Sequence, residues 1–263
     1  MPNTNFVYTK RRGSLSEKGY DFTAVSKKDF GSFNSSILGL GDISKDGNYI
    51  QALAAIYDLE GFTSFCNQVD SHLVIPEFLK RFIDWLLSSL AEEFRHGEKE
   101  GEITLWSRLP FFTKFLGDGV LLLWETSEMD HPMICNIIAN LRIVSENYEK
   151  KFLPQVKRHV SNAPGRLRCG VARGQIISVG DGDDYVGSCI NIAARLQKLS
   201  QLTFAVSRRG IDLALTPASK EVWQDFTLRQ VSLRGIGEGE LVYVNKAEFR
   251  RLPSVERKLF RTP

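Results

Sequence analysis

An aspartate flanked by two glycines, set between apolar runs in RLPFFTKFLGDGVLLLWE (108–125), constrains this chain more than any other feature. Gly117-Asp118-Gly119 is its strongest hairpin signal, because the glycines accept the backbone angles of a tight reversal between two strand-forming segments. The neighbouring elements can be read around it. YIQALAAIYDL (49–59) is an apolar run of strand length. Pro76 opens a helix in which Phe78, Leu79, Phe82, Ile83, Leu86, Leu87, Leu90 and Phe94 recur at three- and four-residue intervals, with Lys80, Arg81 and Asp84 facing away. A second helix follows Pro132 and carries Ile134, Ile137, Ile138, Leu141, Val144 and Tyr148 on one face.

RLRCGVARGQIISVG (166–180) predicts a pair of short strands about Arg173-Gly174. SCINIAARLQKL (188–199) predicts a third helix, with Ser188 as its N-cap. TFAVS, FTLRQVSL and ELVYVN return to strand pattern. Strand, helix, hairpin, helix, strand is the order of the ferredoxin-like split βαβ arrangement, an α+β fold with one antiparallel sheet and helices packed on one face. The expected organisation is a polar N-terminal extension over 1–48, flexible or loosely docked, then one domain over 49–247 and a basic tail over 248–263.

Composition excludes several classes of function. A formal charge of +3 over 263 residues is too small for a nucleic-acid-binding face, so the basic clusters at both ends read as solvated termini. No apolar run reaches the ~18 residues of a membrane span, and the polar start MPNTNFVYTKRR is no signal peptide. Cys66, Cys135, Cys169 and Cys189 are widely spaced, which points to buried thiols in a reducing cytoplasm. The four histidines lack zinc-ligand spacing, and neither a phosphate loop nor a G-x-G-x-x-G follows a strand.

Asp58 ends the first strand and Asp118 sits at the hairpin tip, so a split βαβ fold brings both to one edge of the sheet. Alone, Asp58 also reads as a turn aspartate, and Asp118 reads more readily as the Asp of an Asp-Gly turn than as a ligand. Together, two strand-end carboxylates suit hard Mg²⁺ or Mn²⁺, and a pair of such ions holds the attacking and leaving oxygens of a phosphoryl transfer; the Leu59 carbonyl adds a further oxygen.

Three blocks, AAIYDLEGFTSF, KFLGDGVLLLWE and RCGVARGQIISVGDGDDYVGSCINIAARLQ, together resemble the catalytic domain of class III nucleotidyl cyclases over roughly 51–245. The resemblance implies that Asp58 and Asp118 bind two divalent ions, Mn²⁺ or Mg²⁺. It implies that Asn191 orients the ribose, Arg195 neutralises charge on the transferring phosphate, and Lys114 and Asp184 contact the base. Arg234 falls where the family places a polyphosphate contact. The implied substrate is a nucleoside triphosphate. The implied assembly is a homodimer, with the aspartates of one subunit and the base, Asn and Arg residues of the other sharing each site.

A Lys and Asp at the base positions is the adenine pattern. Tyr57 stands where the family has a small residue, and the bare cyclase architecture, with DLEGFTSFCNQVD running into PEFLKRFIDWL, resembles instead the stand-alone bacterial cyclases of Pycsar anti-phage systems. That resemblance implies UTP or CTP as substrate, in a pocket narrowed by bulky side chains, and a cyclic UMP or CMP signal read by a separate effector protein. An adenylate cyclase and a non-catalytic nucleotide-binding module stay open beside it. The missing G-G-[DE]-E-F hairpin argues against a diguanylate cyclase.

Overall fold

The computed structural model describes residues 6–12, 21–181, 184–213 and 223–263; residues 1–5 and 13–20 of the expected extension lie outside them. The chain divides into two compact units, Met1–Tyr49 with Ile177–Val186, and Ile50–Ile176 with Gly187–Pro263.

The smaller unit opens with an antiparallel pair, β1 (Thr9–Arg12) and β2 (Asp21–Ala24). The short helix α1 (Lys27–Gly31) follows, capped by Ser26, whose side chain accepts the Asp29 N–H at 2.9 Å. A 3₁₀ turn (Ser35–Leu38) is capped in the same way by Asn34.

The larger unit is built on β3 (Tyr49–Glu60), whose residues 52–59 are buried on both faces of the sheet. Leu53, Ala55, Tyr57 and Leu59 face the aromatic core, so alternation turns Ala52, Ala54, Ile56 and Asp58 to the opposite side. The chain continues through α2 (Phe62–Cys66), α3 (Ser71–Phe94), the hairpin β4 (Arg95–Lys99) and β5 (Glu102–Leu105), then β6 (Phe112–Phe115), β7 (Gly119–Glu125), α4 (His131–Asn147) and α5 (Leu153–Val156). It ends with β8 (Arg166–Val179), β9 (Asp184–Gly187), α6 (Ser188–Leu196), β10 (Phe204–Ser207), β11 (Phe226–Leu233), β12 (Gly237–Asn245) and β13 (Phe260–Arg261). Residues 248–263, expected as a basic tail, run through helical turns to β13, which pairs with β11.

The main sheet runs β13–β11–β12–β10–β8–β3–β7–β6. Its segment β8–β3–β7–β6 has the strand order of the expected split βαβ fold, with the first strand lying between the third and fourth. The sheet is mixed rather than antiparallel throughout, because β10 lies parallel to β8. Helices α3 and α4 cover one face. Phe78, Phe82, Leu86, Leu90 and Phe94 of α3 meet Ile134, Ile137, Ile138, Leu141 and Val144 of α4 in the core, as the periodicity predicts. Leu79 and Ile83 are partly buried against it; Leu87, expected on the same face, is exposed instead. Helix α3 begins at Ser71, with Pro76 inside it rather than at its start. Packing of Val74 and Ile75 against the core compensates for the one hydrogen bond Pro76 cannot donate.

Helix α6 takes the other face, against the expectation that all helices share one side. A Cβ added at Gly170 would lie 2.2 Å from the Ala193 carbonyl oxygen, and one at Gly174 3.2 Å from Cys189 Cβ. Gly174 therefore serves close helix–strand approach, not a turn, and β8 continues through it as one strand where two were expected. Ser188 is the first helical residue, and the N-cap position falls on Gly187. Gly170→Val is expected to destabilise the protein by about 3 kcal/mol, because the clashing atoms are backbone. A melting temperature lowered by several degrees checks it.

Two buried groups shape the alkaline limit. Tyr57 donates its hydroxyl to the Leu141 carbonyl at 2.8 Å, and burial raises its pKa well above 10.0; burial does the same to Cys169, from 9.0. Both groups are neutral in the folded chain and ionise first in the unfolded one. Stability is thus fully present below pH 9 and falls above it, by up to about 1.4 kcal/mol per pH unit for each ionising group. Denaturant midpoints measured from pH 8 to 11 check the slope; Tyr57→Phe is expected to flatten its upper part. Among the described residues no helix is long and apolar enough to cross a membrane.

Candidate active site

Strand pairing brings the two aspartates together. β3 and β7 are antiparallel with Asp58 opposite Gly119, and the Leu59 N–H donates to the Asp118 carbonyl at 2.9 Å. Asp58 was expected to end its strand, but β3 continues past it to Glu60. Asp58 thus lies two residues before the end of β3 and Asp118 directly before β7, one residue out of direct register, with strands about 5 Å apart. Gly119 must be glycine: a Cβ there would lie 2.1 Å from the Tyr57 carbonyl oxygen. Asp58 is 3% exposed, and Asp118 is half-buried at the turn.

A buried carboxylate demands compensating charge. Arg168 supplies it, with Nη2 2.5 Å from Asp58 Oδ2, and Lys198 Nζ stands 3.7 Å from Oδ1. Arg168 Nη1 also lies 3.8 Å from Glu60, which is held in turn by Arg166 at 2.5 Å. The Nε–H of Arg168 is buried and has no acceptor among the described residues. None of Arg166, Arg168, Lys198 or Glu60 was singled out from the sequence. The alternation of β8 carries the signal: Cys169 and Val171 face the α3/α4 core, so Arg168 takes the Asp58 side.

Lys114 lies on β6 opposite Leu121 and is half-buried. Helix α6 buries Cys189, Ile192, Ala193 and Leu196 against the sheet and leaves Asn191 and Arg195 on its exposed side, turned away from the sheet that carries Asp58. Arg234 is exposed in the turn between β11 and β12. Asp184 opens β9 in the smaller unit, its carboxylate accepting the Tyr185 N–H at 2.9 Å. The structure therefore gathers Asp58, Leu59 and Asp118, and leaves Asn191, Arg195 and Arg234 at the surface. Tyr57 does not narrow a pocket on this side of the sheet. Its ring is wholly buried among the core residues, because its place in β3 is one residue out of phase with Asp58.

Among the described residues no group of three or more His, Cys, Asp or Glu side chains is poised to hold a metal ion. The oxygen-only pair Asp58 and Asp118, next to the Leu59 main chain, nonetheless has the donor chemistry of a hard divalent cation, and two cationic side chains already stand where positive charge is needed.

No protein-family model matches the chain, and neither does any curated protein. Solved structures do. The adenylyl cyclase CyaB from P. aeruginosa is 13% identical with a TM-score of 0.54, over 76% of this chain and 96% of its own. The guanylyl cyclase Cya2 is 14% identical with a TM-score of 0.55, over 76% and 94%. The guanylate cyclase domain of RhGC from Catenaria anguillulae, solved with GTP, is 13% identical with a TM-score of 0.50, over 75% and 98%. With β8–β3–β7–β6 at its centre and two aspartates near the ends of β3 and β7, the chain has the fold of the adenylyl and guanylyl cyclase domains.

Proposed function

We propose that this protein is a nucleotide cyclase. The ribose 3′-oxygen of a nucleoside triphosphate attacks the α-phosphorus, yielding a 3′,5′-cyclic nucleotide and pyrophosphate. The observation that carries the reading is the cluster at the ends of β3 and β7: a buried Asp58 beside Asp118, with Arg168 and Lys198 against it.

Asp58 and Asp118, with the Leu59 carbonyl, hold two divalent ions, Mg²⁺ or Mn²⁺. What the ions supply is charge neutralisation at the attacking and leaving oxygens. The rest falls to the chain itself. Arg168, with one N–H lacking an acceptor among the described residues, and Lys198 offer donors to triphosphate oxygens. Asn191 and Arg195 sit on the exposed side of α6, so they serve the site of a second copy: Asn191 orients the ribose and Arg195 stabilises charge on the transferring phosphoryl group. Arg234 contacts the polyphosphate, and Lys114 and Asp184 read the base. The enzyme is then a homodimer with two shared sites.

The proposed base is a pyrimidine, uracil before cytosine, on the likeness of DLEGFTSFCNQVD and its continuation to the Pycsar cyclases, with a separate effector reading the product in anti-phage defence in the cytoplasm. The burial of Tyr57 removes one argument for that base. The Lys114/Asp184 pair favours ATP as the second reading, since a donor and an acceptor suit the adenine edge. Incubation with ATP, GTP, CTP and UTP and Mn²⁺, followed by mass spectrometry, decides among them. Cyclic UMP or CMP as main product supports the proposal, cyclic AMP replaces the base, and no product from any of the four overturns the enzyme.

A further inference from the structure

Residues 40–48 cross the end of β8 at closer range than ordinary side chains allow. The Asp181 N–H donates to the Leu40 carbonyl at 3.1 Å, and the Ser178 N–H to the Asn48 carbonyl at 3.1 Å. The Asn48 N–H returns a bond to Ser178 Oγ at 2.9 Å, and Lys45 Nζ lies 2.6 Å from Asp181 Oδ1. Three glycines make room. A Cβ on Gly180 would lie 1.6 Å from the Leu40 carbonyl oxygen, one on Gly41 2.0 Å from Asp181 Oδ2, and one on Gly47 2.4 Å from both Ile177 Cγ2 and the Ser178 carbonyl oxygen. Gly41 and Gly180 also adopt positive φ, +68° and +64°, which other residues resist. Asp42 stiffens the crossing segment locally, accepting the N–H and hydroxyl of Ser44 at 3.0 and 2.6 Å.

The stretch so held, 177–181, ends three residues before Asp184. We propose that residues 40–48 are a positioning element for Asp184, so that the N-terminal segment sets how sharply the enzyme discriminates between bases. This rests on the cyclase reading, in which Asp184 faces the base. The ion pair alone is solvent-exposed and contributes little; the backbone crossing at the glycines does the holding. A side chain that misplaces its polar group loses recognition of the base while leaving the reacting atoms in place. The effect therefore falls on KM and on the ranking of nucleotides, not on kcat.

Gly47→Val is the test, because Gly47 has ordinary φ and only the close contact is disturbed. Gly31→Val in the same unit, where an added Cβ meets nothing within 4 Å, is the control. Hydrogen exchange at the Ser178 and Asp181 amides is read together with KM and kcat for all four triphosphates. Gly47→Val is expected to speed exchange at both amides, raise KM for the preferred triphosphate about tenfold and lower its preference over the others about tenfold, with kcat within about threefold. Gly31→Val is expected to match the wild type. Faster exchange with unchanged KM and ranking overturns the proposal and leaves the cyclase standing; unchanged exchange overturns the holding role itself. Wild-type protein that forms no cyclic product overturns the cyclase reading and this inference with it. If Gly47→Val does not fold, deletion of residues 1–39, which keeps the crossing, is compared with deletion of 1–48, which removes it; equal nucleotide ranking in the two overturns the proposal.

Discussion

Asp58→Ala protein is expected to form cyclic nucleotide at less than about a thousandth of the wild-type rate, as loss of a central charge-stabilising group requires. The same change should lower stability, because it leaves Arg168 facing a buried gap. Asp58 and Arg168 have side chains only 5% and 14% exposed, and a buried ion pair deprived of one partner loses about 3 kcal/mol or more. Asp118→Ala separates the two effects. Asp118 is half-buried at a turn, and its bond to Leu59 uses the main-chain carbonyl, which the substitution keeps. That variant should lose activity to the same degree with a melting temperature close to wild type. Full activity in either protein would sink the assignment of the aspartates to the metal ions. An equal fall in stability for both would mean that Asp118 also has a structural task.

Mixing two inactive proteins is the second decisive case. Asp58→Ala and Arg195→Ala lesions lie on opposite sides of the proposed shared site. A mixed dimer therefore carries one site with both defects and one with none. Random exchange makes half the dimers mixed, each with one good site of two, so activity should return to about a quarter of wild type. The expectation depends on α6 presenting Arg195 outward while Asp58 is buried in the sheet. Size-exclusion chromatography with light scattering verifies the dimer, and differently tagged subunits verify exchange. No recovery after verified exchange rules out sites shared between subunits.

Local signals in the sequence were reliable wherever a single element decided the outcome. Five of the eight expected α3 positions, Phe78, Phe82, Leu86, Leu90 and Phe94, and the α4 face from Ile134 to Val144 are buried as their spacing predicts, since a helix repeats its apolar face without reference to the rest of the chain. Leu87, at the edge of that face, is exposed. Gly117-Asp118-Gly119 reverses the chain between β6 and β7 for the same reason. Gly174 misled because glycine signals equally a turn and a close approach, and only the arrival of Cys189 from α6 distinguishes them. Pro76 misled because a helix start favours proline, yet packing extended the helix back to Ser71.

The sequence by itself determined the order of the central elements β3, α3, β6, β7, α4 and α6 and put aspartates near the ends of β3 and β7, because turn chemistry and hydrophobic period are properties of neighbours along the chain. Only the tertiary structure decided what surrounds Asp58. Arg168 meets it from 110 residues away, and Lys198 from the turn just past α6. Tyr57, its immediate neighbour, is turned into the core instead. Such encounters depend on which strands pair and in what register, and a shift of one residue would exchange the two faces of β3.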